Sequence, residues 1–103
     1  DGYSRRLSNR GSVLIHGTRC PILGKVCMDQ CMVDVSAVPQ AKVGDTVTLI
    51  GRDGEDEITA AEIAGIMETI HYEVVCDISK RVTRVYLKNG KEVSVLDCIL
   101  DKY

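Results

Sequence analysis

The sequence predicts a mainly β fold: a small, partly open β-barrel of about six to eight short strands, with one short α-helix over about 59–69. Three observations carry this. Short β-branched apolar runs recur along the chain between turn residues. Asn89-Gly90 stands between two such runs, and this dipeptide suits a type I′ hairpin, which needs positive φ at both central positions. Helical periodicity is clear in one stretch only, behind Thr59-Ala60-Ala61-Glu62.

Along the chain, Ser12 to Ile15 reads as a strand ending in the turn His16-Gly17-Thr18. Pro21 to Val26 reads as the next, weakened inside by Gly24. Cys31 to Val35 alternates only in part. A loop runs from Pro39 to Gly44, and Val47 to Ile50 forms a strand stopped by Gly51-Arg52-Asp53-Gly54. The helix places Ile63, Ile66, Met67 and Ile70 on one stripe, read as core packing; Gly65 inside it costs up to ~1 kcal/mol. The acidic run Glu55-Asp56-Glu57 suits the N-terminus of that helix. Tyr72 to Cys76 is apolar and rich in β-formers, so it reads as a strand. Arg81 to Leu87 and Glu92 to Val95 form the closing hairpin.

Composition bounds the rest. A chain of 103 residues with 45% hydrophobic residues builds one modest core. With no Trp and no Phe, that core draws on Val, Ile, Leu, Met and a few Tyr. A net charge of −2 without a clustered basic face argues against nucleic acid. The densest basic stretch, Arg5, Arg6 and Arg10, reads as solvated surface or an anion contact. Cysteines at 20, 27, 31, 76 and 98 form no Cys-x-x-Cys pair or zinc spacing; they read as small hydrophobes in a reduced compartment, with no metal site. No apolar run reaches the ~18 residues of a membrane span, and no signal peptide is visible. The start at Asp1-Gly2-Tyr3, without a Met, suggests a piece of a longer protein.

Chemistry-bearing patterns are sparse. Lys25-Val26-Cys27-Met28-Asp29-Gln30 breaks the strand pattern and reads as a turn, whose exposed N–H groups can hold a carboxylate or merely connect strands. Tyr72, in His71-Tyr72-Glu73, offers a phenol that can hold a phosphate or sit half-buried. His16 reads as a turn residue. There is no Ser/His/Asp order, phosphate-binding Gly loop or carboxylate pair. Composition and spacing stop at a mainly β domain and name no reaction.

Four stretches resemble the C-terminal domain of alanine racemases, in family order across nearly the whole chain. Asp1 to Arg6 looks like the family's Gly-Tyr-Ala-Asp-Gly-Tyr segment with its first three residues missing. Pro21 to Gln30 contains the Cys-Met-Asp-Gln motif. Gly44-Asp45 through Arg52 is the third stretch; Glu68 to Cys76, with Ser79 to Val82 just beyond, is the fourth.

The resemblance implies that residues 1–103 are the C-terminal β-domain of a pyridoxal-phosphate enzyme interconverting L- and D-alanine for bacterial cell walls. It implies an N-terminal α/β barrel carrying the cofactor-linking lysine, and a homodimer in which a tyrosine of the other subunit is the second base. No residue here matches either base, so the chain alone is expected to be inactive and without bound cofactor. By the same resemblance, Met28 offers its backbone N–H to the substrate carboxylate in the partner's site and Asp29 shapes that turn. Tyr72 hydrogen-bonds the cofactor phosphate within its own subunit, and Arg5, Lys25 and Ile70 line the substrate entrance corridor. Departures are Lys25 for the usual arginine, which loses the bidentate fork, His71 for a common asparagine, and Thr83 for a frequent proline. A cytoplasmic location and no membrane contact by this domain are implied. The alternatives are a serine/alanine racemase of the vancomycin-resistance type, whose parent is membrane-anchored, a non-catalytic β-barrel binding module, and a thiol or metal protein.

Overall fold

The computed structural model describes residues 2–96; Asp1 and residues 97–103, with Cys98 and Tyr103, lie outside the described residues. Val13, Leu14 and Ile15 are all buried, so strand β1 (Ser12–Ile15) sits at the centre of the core. It pairs antiparallel with β2 (Thr18–Leu23), Val13 opposite Cys20. β2 alternates as a half-buried strand should: Cys20 and Ile22 point inward, Arg19, Pro21 and Leu23 outward. β3 (Met32–Val33) adds to β2, with Val33 opposite Ile22. On its other side β1 meets Thr48 through paired backbone bonds between Leu14 and Thr48, both 2.9 Å.

Val47 to Ile50, expected as a strand, does not form one. Only Thr48 bridges to β1, and the strand begins where a stop was read, at Gly51. β4 (Gly51–Asp53) and β5 (Asp56–Ile58) form a two-stranded hairpin. Gly54-Glu55 is its tip rather than a break, and the Asp53 carboxylate at the end of β4 accepts the Gly17 N–H at 2.9 Å, joining this hairpin to the β1–β2 turn.

Helix α1 (Ala60–Met67) starts as expected: Thr59 Oγ1 accepts the Glu62 N–H at 3.0 Å. It ends in a Schellman motif. The Thr69 N–H donates to the Ala64 carbonyl at 2.9 Å and the Glu68 N–H to the Gly65 carbonyl at 3.3 Å, with Glu68 at φ 60. The stop precedes Ile70, which leaves the stripe and is exposed, while Ile63 and Met67 are buried.

Tyr72 to Cys76 is a second helix, α2 (His71–Cys76), and not a strand. Its β-forming residues are overridden by packing against α1, which buries Val74, and by a bond from Thr69 Oγ1 to Glu73 at 2.5 Å. Strands β6 (Arg84–Lys88) and β7 (Lys91–Leu96) make the expected hairpin, with Asn89 at φ 53 and Gly90 at φ 77. Its Val85, Tyr86, Leu87, Val93 and Val95 are exposed.

The fold is mainly β, as expected, with seven strands and two helices among the described residues. The strands pair in three separate antiparallel sheets, and no closed barrel forms among those residues. The core gathers Leu7, β1, the inner face of β2, Val26, Val38, Ile58, the inner face of α1 and Val74. Fully burying a Leu or Ile contributes about 1.5–3 kcal/mol. No described helix is long and apolar enough to cross a membrane.

Candidate binding groove

The N-terminal segment is fixed before it reaches the site. Ser4 caps a short 3-10 turn, Arg5–Leu7, by accepting the Arg6 N–H at 3.1 Å. Arg6 donates to the Met67 carbonyl at 2.7 Å, binding the end of α1, so this arginine has a structural contact. Ser8 Oγ accepts the Val26 N–H at 2.8 Å and donates to the Arg5 carbonyl at 2.6 Å. Asn9 Oδ1 accepts the Gly24 N–H at 2.7 Å. These bonds hold residues 24–26 against the turn, and so bring Lys25 beside Arg5.

Beyond Val26 the chain makes the turn expected of Cys-Met-Asp-Gln. The Cys27 N–H donates to the Gln30 carbonyl at 2.9 Å, leaving Met28 and Asp29 at the tip. Met28 is 83% exposed, and no acceptor among the described residues takes its N–H. Arg5, Lys25 and Met28 then line one open groove of about 730 Å³. Tyr3 and Cys27 line it too, as do Ser79 and Arg81 from the loop after α2. No acidic side chain lines it among the described residues, although the chain as a whole is negative. A cation-lined concavity of this kind concentrates small anions.

Not every expected residue comes to this place. Asp29 is exposed at the loop tip and does not line the groove. Ile70, exposed, and Tyr72, on the first turn of α2, lie outside it. The Tyr72 ring stacks at a tilt on His71, centroids 4.2 Å apart, and its hydroxyl has no partner among the described residues. Sequence reasoning missed Tyr3, Ser79 and Arg81, whereas Cys27 lay within the turn segment it singled out. Ser79 and Arg81 belonged to a family-like stretch but carried no local chemical pattern. Burial, and secondly the nearby Cys31, push the Tyr3 phenol up to about 12, and its buried oxygen has no hydrogen-bond partner among the described residues. Burial also raises the Cys20 thiol, which suits a packing role. Among the described residues no group of three or more His, Cys, Asp or Glu is placed to hold a metal ion.

Fold and groove together define a class: a mainly β domain presenting a cation-lined groove on its surface. Residues 1–86 match the family model for the alanine racemase C-terminal domain, and the chain belongs to that family. It is 60% identical over 86 residues to the alanine racemase of Symbiobacterium thermophilum, covering 84% of this chain and 23% of that protein. Against alanine racemase 1 of Clostridium acetobutylicum it is 48% identical over 95 residues, 92% of this chain and 25% of the other. It resembles the crystal structure of Bacillus anthracis alanine racemase with bound L-Ala-P at a TM-score of 0.85 and 44% identity, covering 98% of this chain and 25% of that one. The alanine racemase of Bartonella henselae, solved with covalently bound pyridoxal phosphate, matches at 0.76 and 33%, covering 84% and 24%. The chain spans about a quarter of the length of these relatives.

Proposed function

We propose that residues 1–103 serve as the C-terminal domain of a pyridoxal-phosphate-dependent racemase that interconverts L- and D-alanine for peptidoglycan. The observation that carries this is the groove: Arg5, Lys25 and the Met28 amide, unpaired among the described residues, share one cation-lined concavity. The Met28 N–H grips the substrate carboxylate, and Asp29 holds the turn that aims it. Arg5 and Lys25 line the path by which the amino acid arrives, and Ile70, outside the groove of this chain, borders that path where the rest of the enzyme completes it.

Tyr72 suits the cofactor in one respect. Its phenol is exposed and has no partner among the described residues, as suits a donor to a phosphate oxygen. One phenol does not neutralise a phosphate dianion, so the remaining contacts come from an N-terminal α/β barrel. When bound, pyridoxal phosphate supplies an electron sink for the substrate's Cα. Both proton-transferring bases belong to the rest of the enzyme, one on the barrel and one on a segment preceding Asp1. The domain therefore works within a cytoplasmic homodimer, its exposed β6–β7 face covered by other parts of the enzyme. A partly open barrel is proposed for the complete domain; the Leu14–Thr48 bridge, which ties β1 towards β4, supports it.

The test is racemisation by the full-length enzyme, monitored as D-alanine and D-serine formation. Preference for alanine is expected. Preference for serine would assign the vancomycin-resistance type, and no racemisation of either would sink the reading.

A further inference from the structure

Ser79 lines the groove with Arg5, Lys25 and Met28, though it comes from the loop after α2, far from them in sequence. That loop is held from two sides. Arg84, at the start of β6, donates from Nη1 to the carbonyls of Ser79 and Val82 and from Nη2 to that of Ile78 at 3.1 Å. One guanidinium thus gathers three carbonyls, and the Val82 N–H closes the turn on the Ser79 carbonyl at 3.1 Å. On the other side the backbone of Gly2 lies so close to Asp77 and Ile78 that no Cβ fits between them. A loop fixed in this way loses little further freedom on binding, so a polar group on it acts at low entropic cost. The Ser79 hydroxyl is half used: it accepts the Arg81 amide N–H at 3.1 Å and donates to no acceptor among the described residues. A hydroxyl has one donor besides its lone pairs, and accepting a bond polarises it towards donating. No acidic side chain of the described lining takes that proton, so it is open to an acceptor that enters the groove.

We propose that Ser79 is a hydroxyl donor to the carboxylate that enters the groove, presented by Arg84 as its positioning residue. This deepens the reading of the groove as a path for a small carboxylate, and rests on it. The ammonium of Lys25 acts on an anion as a point charge and sets no direction. An O–H···O bond is directional, so a donor on a fixed loop orients the carboxylate that the cations attract. The task of Ser79 is to bind and orient; it takes no part in proton transfer.

The test uses full-length enzyme with propionate as the probe, its dissociation constant read from the broadening of its NMR signals, which needs no activity. In Ser79→Ala the KM for L-alanine and the propionate constant should rise together, by about three- to tenfold, with kcat within about twofold of wild type and the cofactor absorbance unchanged. Ser79→Thr, which keeps the hydroxyl, should stay within about twofold of wild type in both constants. Arg84→Lys reaches fewer carbonyls and should raise both constants in the wild-type background, but by less than about twofold in the Ser79→Ala background, because it acts through that serine. An unchanged propionate constant in Ser79→Ala, or a fall in kcat at unchanged KM, would overturn the proposal. Equal losses from Arg84→Lys in the two backgrounds would remove Arg84 from it. A crystal structure of the wild-type enzyme with propionate needs no variant: Ser79 Oγ should lie about 2.5–3.0 Å from a carboxylate oxygen, and a separation beyond about 4 Å from every bound propionate counts against the contact. An enzyme that racemises neither alanine nor serine yet binds propionate less tightly as Ser79→Ala sinks the racemase reading alone.

Discussion

Arg19 and Glu62 are joined by two hydrogen bonds, 2.7 Å and 3.0 Å, from the guanidinium on β2 to the carboxylate on α1. The same guanidinium reaches Asp56 at 2.9 Å and the Glu57 carbonyl at 2.8 Å, so one side chain ties β2, β5 and the first turn of α1. Glu62 is the residue whose sequence position promised a reciprocal cap. It makes half of that cap, donating its N–H to Thr59, and turns its carboxylate to Arg19 instead.

Removing the guanidinium should show as a pH-dependent loss. Arg19 holds the Asp56 carboxyl below its ordinary 3.8, with the Glu57 N–H helping. A depressed folded pKa gives stability that is present above the unfolded value and lost as pH falls through the folded one. Arg19→Leu should therefore lower the thermal midpoint by roughly 2–5 °C near neutral pH. The gap should narrow below about pH 4. Melting curves from pH 7 to pH 2.5 check this; a gap that is constant with pH would remove Asp56 from the account.

Tyr3 gives the opposite sign at the other end of the scale. Burial raises its phenol to about 12, so its neutral form belongs to the folded state. The unfolded phenol ionises near the ordinary 10.0, so stability is steady below that pH and declines from there towards 12. Tyr3→Phe should reduce this alkaline decline. Because the buried oxygen lacks a partner among the described residues, the variant should be as stable as the parent at pH 7 or more so, by up to about 1 kcal/mol. Urea unfolding at pH 7 and pH 10.5 separates the two effects, and a clear loss at pH 7 would mean that the hydroxyl has found a partner.

How much of the fold could be read in advance depended on whether the signal was local. Val13-Leu14-Ile15 is a continuous apolar run between turns, and it became β1. Asn89-Gly90 dictated its turn through backbone φ alone. Tyr72 to Cys76 misled because its β-forming residues were weighed without α1, and burial of Val74 against that helix decided the outcome. β4 and β5 were hidden for a different reason: their facing pair Arg52 and Glu57 is polar, so no hydrophobic alternation marked them. The groove was legible at Met28, Lys25 and Arg5 through motif resemblance. Arg81 and Tyr3 join it only by tertiary folding, which no short spacing encodes.

Gly2 is the tightest backbone approach at the groove's edge. With φ at +99, a Cβ there would stand 2.2 Å from the Asp77 carbonyl oxygen and 2.9 Å from the Ile78 Cα. Both obstacles are backbone and cannot swing aside. Gly2→Ala should cost about 1–3 kcal/mol, combining strain in the left-handed region with displacement of the loop after α2. Chemical denaturation measures it, and a loss under about 0.5 kcal/mol would show that the backbone at Asp77 and Ile78 gives way to a Cβ at little cost.

The cofactor contact is best tested at Tyr72, because its side chain can be altered with little effect on the fold. The residue is 66% exposed and its hydroxyl bonds to no described group, so Tyr72→Phe should leave the melting of this domain nearly unchanged. In the full-length enzyme the phenol's one task, on the proposed reading, is to donate to a phosphate oxygen. Losing a hydrogen bond to a charged acceptor should weaken retention of pyridoxal phosphate by about 1–2 kcal/mol. That is a shift of about five- to thirtyfold in its dissociation constant. Equilibrium dialysis with visible absorbance reads the shift directly. Unchanged affinity would assign the phosphate entirely to the barrel and leave the His71–Tyr72 stack as a surface contact.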